Sequence, residues 1–196
     1  MSGKIDNIQN VLAAFLSDYS AKFHVRQISR MIGMNRQTTS ATLKKMESSR
    51  ILDSEIEGRN KLYFINNSSP KAKIFIENAE NARKLNICKK KEISRLIDYL
   101  EGTYIALLFG SYAKGNERES SDIDVMLIGR GKKNFGTFKK ETGMEVQVFE
   151  MGEKQFMDGL AKKDHMVIEA TRNHVCLRNT ERFVDLMWRV NYGRSS

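Results

Sequence analysis

Apolar residues at helical spacing dominate the first part of the chain. They recur three and four positions apart over residues 5–16, and the same spacing returns over about 26–32 and again up to Ser49. This periodicity predicts three amphipathic helices. Gly33 permits a tight turn between the second and third helices, and Asn35 suits the N-cap of the third.

Beyond the third helix the pattern changes to the alternation of a β-hairpin. Residues 51–57 alternate, and they are followed by a turn in which Gly58 and Asn60 can take positive φ, then by a return strand over 61–65. Helix, glycine turn, helix and hairpin in this order resemble a winged helix-turn-helix domain. The resemblance implies a DNA-binding domain at residues 1–69. Winged helices also serve as protein-docking modules, which is the alternative.

The residues expected to meet DNA stand mainly on the third helix. In a helix that enters the major groove, first-turn side chains reach base edges, and basic residues make salt-sensitive phosphate contacts. The competing interpretation is a capped helix with a solvated basic face. The predicted DNA-binding residues are Arg36, Gln37, Thr38, Thr39, Lys44, Lys45 and, in the hairpin turn, Arg59. The expected partner is double-stranded DNA, bound by a homodimer on two half-sites.

A helical connector is predicted at residues 70–102. The stretch "NNSSP" ends at Pro70, which suits the first turn of a helix, and Gly102 ends the last helical pattern. The pattern leaves open whether these helices couple the two halves or form a dimer interface.

Residues 103–196 begin with two apolar strands that carry polar groups at their ends. "YIALLFG" predicts a buried strand, after which Gly110 and Ser111 let the backbone turn sharply and come close to a ligand. In "DIDVMLI" the strand alternation places Asp122 and Asp124 on one face. Two carboxylates so arranged suit Mg²⁺, which in turn favours phosphate oxygens as its remaining ligands.

The Gly-Ser turn, the spacer 112–121 and the Asp-x-Asp strand together resemble the nucleotidyltransferase superfamily related to DNA polymerase beta. "GSYAKG" before "SDIDVMLIG" is especially similar to the minimal nucleotidyltransferases of bacteria and archaea. The resemblance implies that Asp122 and Asp124 are catalytic and hold one or two Mg²⁺ ions. It also implies that Gly110, Ser111 and Lys114 bind the phosphates of ATP or another nucleoside triphosphate.

The third carboxylate of that family matches imperfectly. Alternation in "GMEVQVFEM" places Glu145 and Gln147 on one face of a strand, and the position between two valines, where an acid is expected, is Gln147. A neutral amide cannot act as a general base. Glu145 is therefore predicted as the third catalytic carboxylate, although it would reach the site only through a strand displacement of about 7 Å. The alternative is a surface or structural role.

The remaining segment predicts two helices, a short strand and a final helix that packs against the sheet, with Trp188 in the core. The fold class is therefore α+β, with an N-terminal winged helix-turn-helix domain, a helical connector and, at 103–196, a small mixed-sheet nucleotidyltransferase-like domain.

Composition adds little to this assignment. The 33 basic and 24 acidic residues give a net charge of +9, which suits nucleic acid or nucleotide partners or reflects a solvated basic surface. Cys88, Cys176 and three scattered histidines lack zinc-ligand spacing. With neither a signal peptide nor a long apolar run in the sequence, we expect a cytoplasmic protein with no membrane partner and with reduced thiols.

These patterns, together with the families that they resemble, imply three possible functions. The first is a DNA-binding transcriptional regulator whose Mg²⁺-dependent domain transfers a nucleotide, AMP from ATP, to a hydroxyl on a protein or small molecule. Relatives of the minimal type modify a partner toxin that has a nucleotide-binding helical domain, so the resemblance implies a toxin–antitoxin role. The second is a catalytically inactive, nucleotide-sensing regulator, favoured by Gln147. The third, RNA-directed nucleotide transfer, is disfavoured because such enzymes usually carry larger nucleic-acid domains.

Overall fold

The computed structural model describes residues 2–100, 102, 104–118, 120–129 and 135–193. The chain divides into two compact units. The first comprises Met1–Glu80 and Val184–Ser196, and the second comprises Asn81–Phe183. Each unit combines helices with a small sheet, so the α+β prediction is confirmed. Over the described part of the chain, none of the helices has both the length and the apolar character needed to cross a membrane.

The first unit is built around three helices and a three-stranded antiparallel sheet. In the sheet, the third strand along the chain lies between the first and the second. The beginning of a fourth helix and the end of the last helix of the chain also belong to this unit. The elements are α1 (Ser2–Ala13), β1 (Phe23–His24), α2 (Val25–Met31), α3 (Arg36–Ser48), β2 (Leu52–Glu57), β3 (Asn60–Ile65), the beginning of α4 (Pro70–Ile87) and the end of α10 (Thr180–Tyr192).

Local signals in the sequence explain where α2 and α3 begin. His24 caps α2 by accepting a hydrogen bond from the Gln27 amide at 3.2 Å, and the Gln27 side chain accepts from the His24 amide at 3.0 Å. Gly33 has φ +65° in the turn before α3. Asn35 accepts a hydrogen bond from the Thr38 amide at 2.8 Å, which confirms its prediction as the N-cap of α3.

The hairpin and the final helix depart from the expected bounds. Strand β3 begins at Asn60, so the turn contains only Gly58, with φ +58°, and Arg59. The final helix was expected to pack against the second sheet. From Val184 onward it lies in the first unit instead, where the buried indole of Trp188 donates a hydrogen bond to the Asn67 carbonyl at 3.3 Å. The domain bounds 1–69, 70–102 and 103–196 stay a prediction.

The second unit is a four-stranded sheet flanked by helices. From one edge to the other, the strands are β6 (Val146–Met151), β5 (Ile123–Ile128), β4 (Ile105–Phe109) and β7 (Val175–Arg178). The pair β5 and β6 is parallel, and the other neighbouring pairs are antiparallel. The elements that follow α4 are α5 (Lys91–Tyr99), β4 (Ile105–Phe109), α6 (Gly110–Lys114), β5 (Ile123–Ile128), α7 (Gly136–Thr142), β6 (Val146–Met151), α8 (Glu153–Lys162), α9 (His165–Arg172) and β7 (Val175–Arg178).

Strand alternation divides the second sheet into two faces. One face is apolar and packs against α5 and α7 through Leu96 and Phe138. The strand residues of this buried face are Ala106, Leu108, Ile123, Val125, Leu127, Val175 and Leu177. The opposite face carries the residues between them, among which are Asp124 and Gln147. The predicted alternation is thus confirmed, and polar groups are left on the face where a site can form.

Candidate functional site

The two aspartates lie at one end of the central strands. Asp122 immediately precedes β5, and Asp124 is the second residue of that strand. Both side chains are half-buried. Asp124 stands opposite Phe109, the last residue of β4, and opposite Gln147 on β6. The sheet register therefore brings the end of β4, the start of β5 and the start of β6 to the same place.

The Gly-Ser turn lies directly against Asp124. Strand β4 ends at Phe109, and Gly110 follows with φ +68°. A Cβ atom on Gly110 would lie 2.0 Å from Oδ2 of Asp124. A side chain at this position would have to push the Asp124 carboxylate away, so glycine suits both the backbone conformation and the close approach. The half-buried Ser111 comes next in the same turn.

Lys114 sits in the last turn of α6 and is engaged by a carboxylate. Its Nζ donates a hydrogen bond to Oε1 of Glu169 on α9 at 2.7 Å, and the side chains are 36% and 35% exposed. This hydrogen bond lowers the pKa of the Glu169 carboxyl. Sequence reasoning missed Glu169, because α9 carries no motif and only its packing against β4 brings it to this end of the sheet.

The structure places Gln147 beside Asp122. Its Nε2 donates a hydrogen bond to Oδ2 of Asp122 at 2.7 Å. Glu145 lies just before β6; its carbonyl accepts a hydrogen bond from the Ile123 amide at 2.9 Å, and its carboxylate pairs with Lys139. The Gln147 amide thus contacts the aspartate pair, whereas the Glu145 carboxylate is bound by Lys139. The catalytic assignment of Glu145 stays a prediction.

Negative charge is concentrated around Asp124. Burial raises the pKa of the Asp124 carboxyl, the charges of Asp122 and Glu169 raise it further, and Lys114 opposes them. Within the described residues no group of three His, Cys, Asp or Glu side chains is placed to hold a metal ion. Two carboxylates with an amide beside them are nevertheless oxygen donors of the kind that Mg²⁺ prefers. A cation there would also offset their mutual repulsion, so these residues fit Mg²⁺.

The residues predicted to bind DNA separate into exposed and buried groups. Thr39 is fully buried, and its hydroxyl donates to the Asn35 carbonyl at 2.9 Å, so it offers no surface to a ligand. Thr38 is half-buried, and its amide is bound by the Asn35 side chain. Four predicted side chains are exposed along α3, and Arg59 is exposed at the hairpin tip. The four are Arg36, Gln37, Lys44 and Lys45.

Shallow grooves run beside this exposed side of α3. One is lined by Arg36, Gln37 and Lys44 together with Ser40 and Ala41. Ser40 and Ala41 were not predicted as ligand contacts, but helical spacing places them between Arg36, Gln37 and Lys44. A second groove is lined by Gln37, Thr38 and Lys45. The predicted α3 residues therefore lie along two adjoining grooves, and only Thr39 is buried away from them.

Comparison with known families supports the nucleotidyltransferase part of the sequence interpretation. Residues 91–177 match the family model described as Polymerase beta, Nucleotidyltransferase. The matched segment runs from α5 to β7 and contains the Gly-Ser turn, both aspartates and Gln147. Searches of curated proteins and of solved structures find no match to the chain.

Proposed function

We propose that the protein is a DNA-binding transcriptional regulator that transfers a nucleotide, because residues 91–177 are similar to nucleotidyltransferases. The donor is ATP, the transferred group is AMP, and the acceptor is a hydroxyl on a protein or small molecule. One observation carries this proposal: the Gly-Ser turn lies directly against Asp124, so a backbone turn suited to phosphate and a carboxylate suited to a metal ion meet at one point.

Each residue of this site has a distinct task. Asp122 and Asp124 would hold Mg²⁺, and the bound ion would offset the negative charge of the triphosphate. Gly110 lets the turn lie against the Asp124 carboxylate, so the turn backbone and the Ser111 hydroxyl, which would bind the outer phosphates, stand beside a metal ligand. Lys114 supplies a positive charge for the same phosphates. Together these groups would orient the triphosphate so that the acceptor oxygen attacks the α-phosphorus, the bond to the β-phosphate breaks, and pyrophosphate and the hydroxyl proton are released.

A transfer assay tests this proposal. The protein is incubated with Mg²⁺, ATP labelled in its α-phosphate, and the product of an adjacent gene as candidate acceptor, which the proposed toxin–antitoxin role makes the first choice. We expect label on the acceptor and its loss in Asp124→Asn and Asp122→Asn. Asp158→Asn on α8 removes an exposed carboxylate and serves as the matched control. Transfer that persists in the Asp124→Asn protein would exclude this site.

A second function is favoured by the contact between Gln147 and Asp122. A neutral amide cannot take the proton of the attacking hydroxyl, and it occupies the place next to the aspartate pair. On this basis the domain would bind ATP and Mg²⁺ and act as a sensor without transfer. Equilibrium binding and single-turnover measurements separate the two functions. Saturable ATP binding with no labelled product over hours supports the sensor, and stoichiometric AMP transfer excludes it.

For the first unit we propose a winged helix-turn-helix domain that binds double-stranded DNA. The arrangement of α2, the Gly33 turn, α3 and the β2–β3 hairpin supports it, as do the exposed basic residues of α3. In this proposal α3 is the recognition helix, and Arg59 at the hairpin tip contacts a phosphate. A homodimer would place two such helices on paired half-sites.

Salt dependence tests the DNA proposal without knowledge of the operator. Phosphate contacts are independent of sequence, so a duplex of arbitrary sequence is sufficient. We expect Lys44→Ala to weaken binding and to reduce the slope of log K against log salt by about 0.9 for the lost contact. Lys71→Ala removes an exposed lysine from α4 and should leave the slope unchanged. Equal slopes for Lys44→Ala and the unaltered protein would exclude α3 as the contacting helix.

A further inference from the structure

The hydrogen-bonded pair of Lys114 and Glu169 lies where the proposed nucleotide would bind. Lys114 is in the last turn of α6, the helix that starts at Gly110. At the rise of an α-helix, the Cα atoms of Gly110 and Lys114 are about 6 Å apart along the helix axis. Glu169 belongs to α9, which packs against β4. The pair therefore joins the Gly-Ser turn to an element outside the sequence motif.

Resting on the nucleotide site proposed above, we propose that Glu169 is a positioning residue that holds Lys114 until a triphosphate displaces it. In the free protein the Glu169 carboxylate neutralises and orients the ammonium group at 2.7 Å. When ATP binds, its outer phosphates take over this ammonium group. The carboxylate and the triphosphate thus compete for one cation.

The charges around the pair support an exchange of partners. A partly exposed ion pair contributes little net stability, so breaking it costs little. A triphosphate carries more negative charge than one carboxylate and is bound close by. Glu169 also repels Asp124, because both carboxylates are negative and both interact with the charge of Lys114. A cation beside Asp124 would offset that repulsion when Lys114 leaves.

Competition predicts opposite effects for the two members of the pair. Glu169→Gln should bind ATP about two- to fivefold more tightly, because the phosphates no longer have to displace a charged partner. Lys114→Met should bind ATP about tenfold more weakly. In the double variant the effect of Glu169→Gln should disappear, since there is no ammonium group to compete for. A merely structural pair would not give effects of opposite sign.

Titration calorimetry with Mg²⁺ and either ATP or AMP measures these effects. AMP lacks the outer phosphates, so Glu169→Gln should leave AMP affinity unchanged. Glu153→Gln is the matched control, because it breaks the Arg182–Glu153 ion pair at the start of α8, beyond the opposite end of β6. Glu153→Gln should change neither the affinity for ATP nor the affinity for AMP.

The outcomes separate this inference from the nucleotide site on which it rests. Two results would disprove both the nucleotide site and the competition. In the first, the unaltered protein binds no ATP; in the second, Asp124→Asn binds ATP as tightly as the unaltered protein does. If Asp124→Asn abolishes binding while Glu169→Gln has no effect or weakens ATP and AMP alike, only the competition fails. Tighter ATP binding by Glu169→Gln, absent in the double variant, supports it.

Discussion

At the scale of single residues, Gly110 imposes the strictest requirement on the second unit. Its φ of +68° suits glycine, but so does the φ of +71° at Gly115 on the other end of α6. The two differ in their surroundings: a Cβ on Gly110 would lie 2.0 Å from the Asp124 carboxylate, whereas a Cβ on Gly115 would meet nothing within 4 Å. Gly115 therefore controls for backbone strain alone.

We expect Gly110→Ala to abolish Mg²⁺-dependent ATP binding, because the methyl group pushes the Asp124 carboxylate out of place. We also expect it to lower the free energy of unfolding by about 1–3 kcal/mol more than Gly115→Ala, whose cost of about 1 kcal/mol comes from φ alone. Urea denaturation and ATP titration of both variants check this. If the two variants have the same free energy of unfolding and the same ATP affinity, the tight contact at Gly110 is contradicted.

Gln147 is the second residue whose chemistry the site depends on. We expect Gln147→Glu to lower the free energy of unfolding by about 1–2 kcal/mol without Mg²⁺, because a donor to Asp122 becomes a like charge. Added Mg²⁺ should restore this loss, and transfer of AMP should rise by up to roughly 10²-fold if the missing base limits the rate.

Thermal unfolding with and without Mg²⁺, together with the transfer assay, tests the effect of Gln147→Glu. Gln155→Glu adds the same charge on α8 and keeps a residue suited to the capping box, so it should show no such Mg²⁺ dependence. A Mg²⁺ response in Gln155→Glu equal to that in Gln147→Glu would show that the effect is not local to Asp122.

At the scale of elements, one carboxylate joins α3 to the hairpin. Glu47 accepts hydrogen bonds from Ser54 of β2 at 2.5 Å and from Lys61 of β3 at 2.8 Å. These bonds, the one from Lys61 first, lower the pKa of the Glu47 carboxyl, and the same contact raises the pKa of the Lys61 amine. Both shifts favour the ion pair, which orients the hairpin against the helix.

This contact predicts a pH dependence of stability. Because the folded pKa of Glu47 lies below its unfolded value of 4.5, its contribution is present above about pH 4.5 and is lost as the pH falls through the lower folded value. We expect Glu47→Gln to lower the free energy of unfolding at pH 7 by only about 0.5–1 kcal/mol, because solvent screens this partly exposed pair. Once Glu47 is protonated, the substitution should no longer change the free energy of unfolding.

Urea denaturation of the unaltered protein and of Glu47→Gln, between pH 7 and pH 3, measures this difference. Glu55→Gln breaks the more exposed pair with Lys22 and should cost less than Glu47→Gln at pH 7. A cost of Glu47→Gln that stays constant down to pH 3 would contradict the role of the charged carboxylate.

At the scale of the whole molecule, the proposal of a nucleotide-sensing regulator requires energetic coupling between DNA and nucleotide. If bound ATP changes the affinity for DNA by some factor, DNA must change the affinity for ATP by the same factor. We expect a factor of about 5–150 if the two sites communicate. Fluorescence titrations of DNA with and without Mg²⁺–ATP, and of ATP with and without DNA, measure both sides.

The Asp124→Asn protein provides the control for this coupling, because it should bind DNA as before but no longer respond to ATP. Unequal factors in the two directions would mean that the assays do not report the same equilibrium. Factors of one in both directions would exclude a nucleotide-controlled regulator, and DNA binding and nucleotide binding would then be independent activities.

The sequence by itself determined what depends on neighbours along the chain. The start of α3 at Asn35, the hairpin of β2 and β3, and the placement of Asp124 on the face of β5 opposite Ile123 and Val125 all follow from local spacing, because strand alternation and helix caps involve only a few consecutive residues. The short strand β1 and the helix α7 were not predicted. The Gly-Ser and Asp-x-Asp motif also predicted the nucleotidyltransferase family, which the match to residues 91–177 supports.

Tertiary structure alone decided which side chains meet. Whether Gln147 or Glu145 stands beside Asp122 depends on the register of two strands that are distant in sequence. Glu169 reaches Lys114 only through the packing of α9 on the sheet. The burial of Thr39 likewise depends on long-range packing. These contacts arise from the packing of whole elements, and no local pattern encodes them.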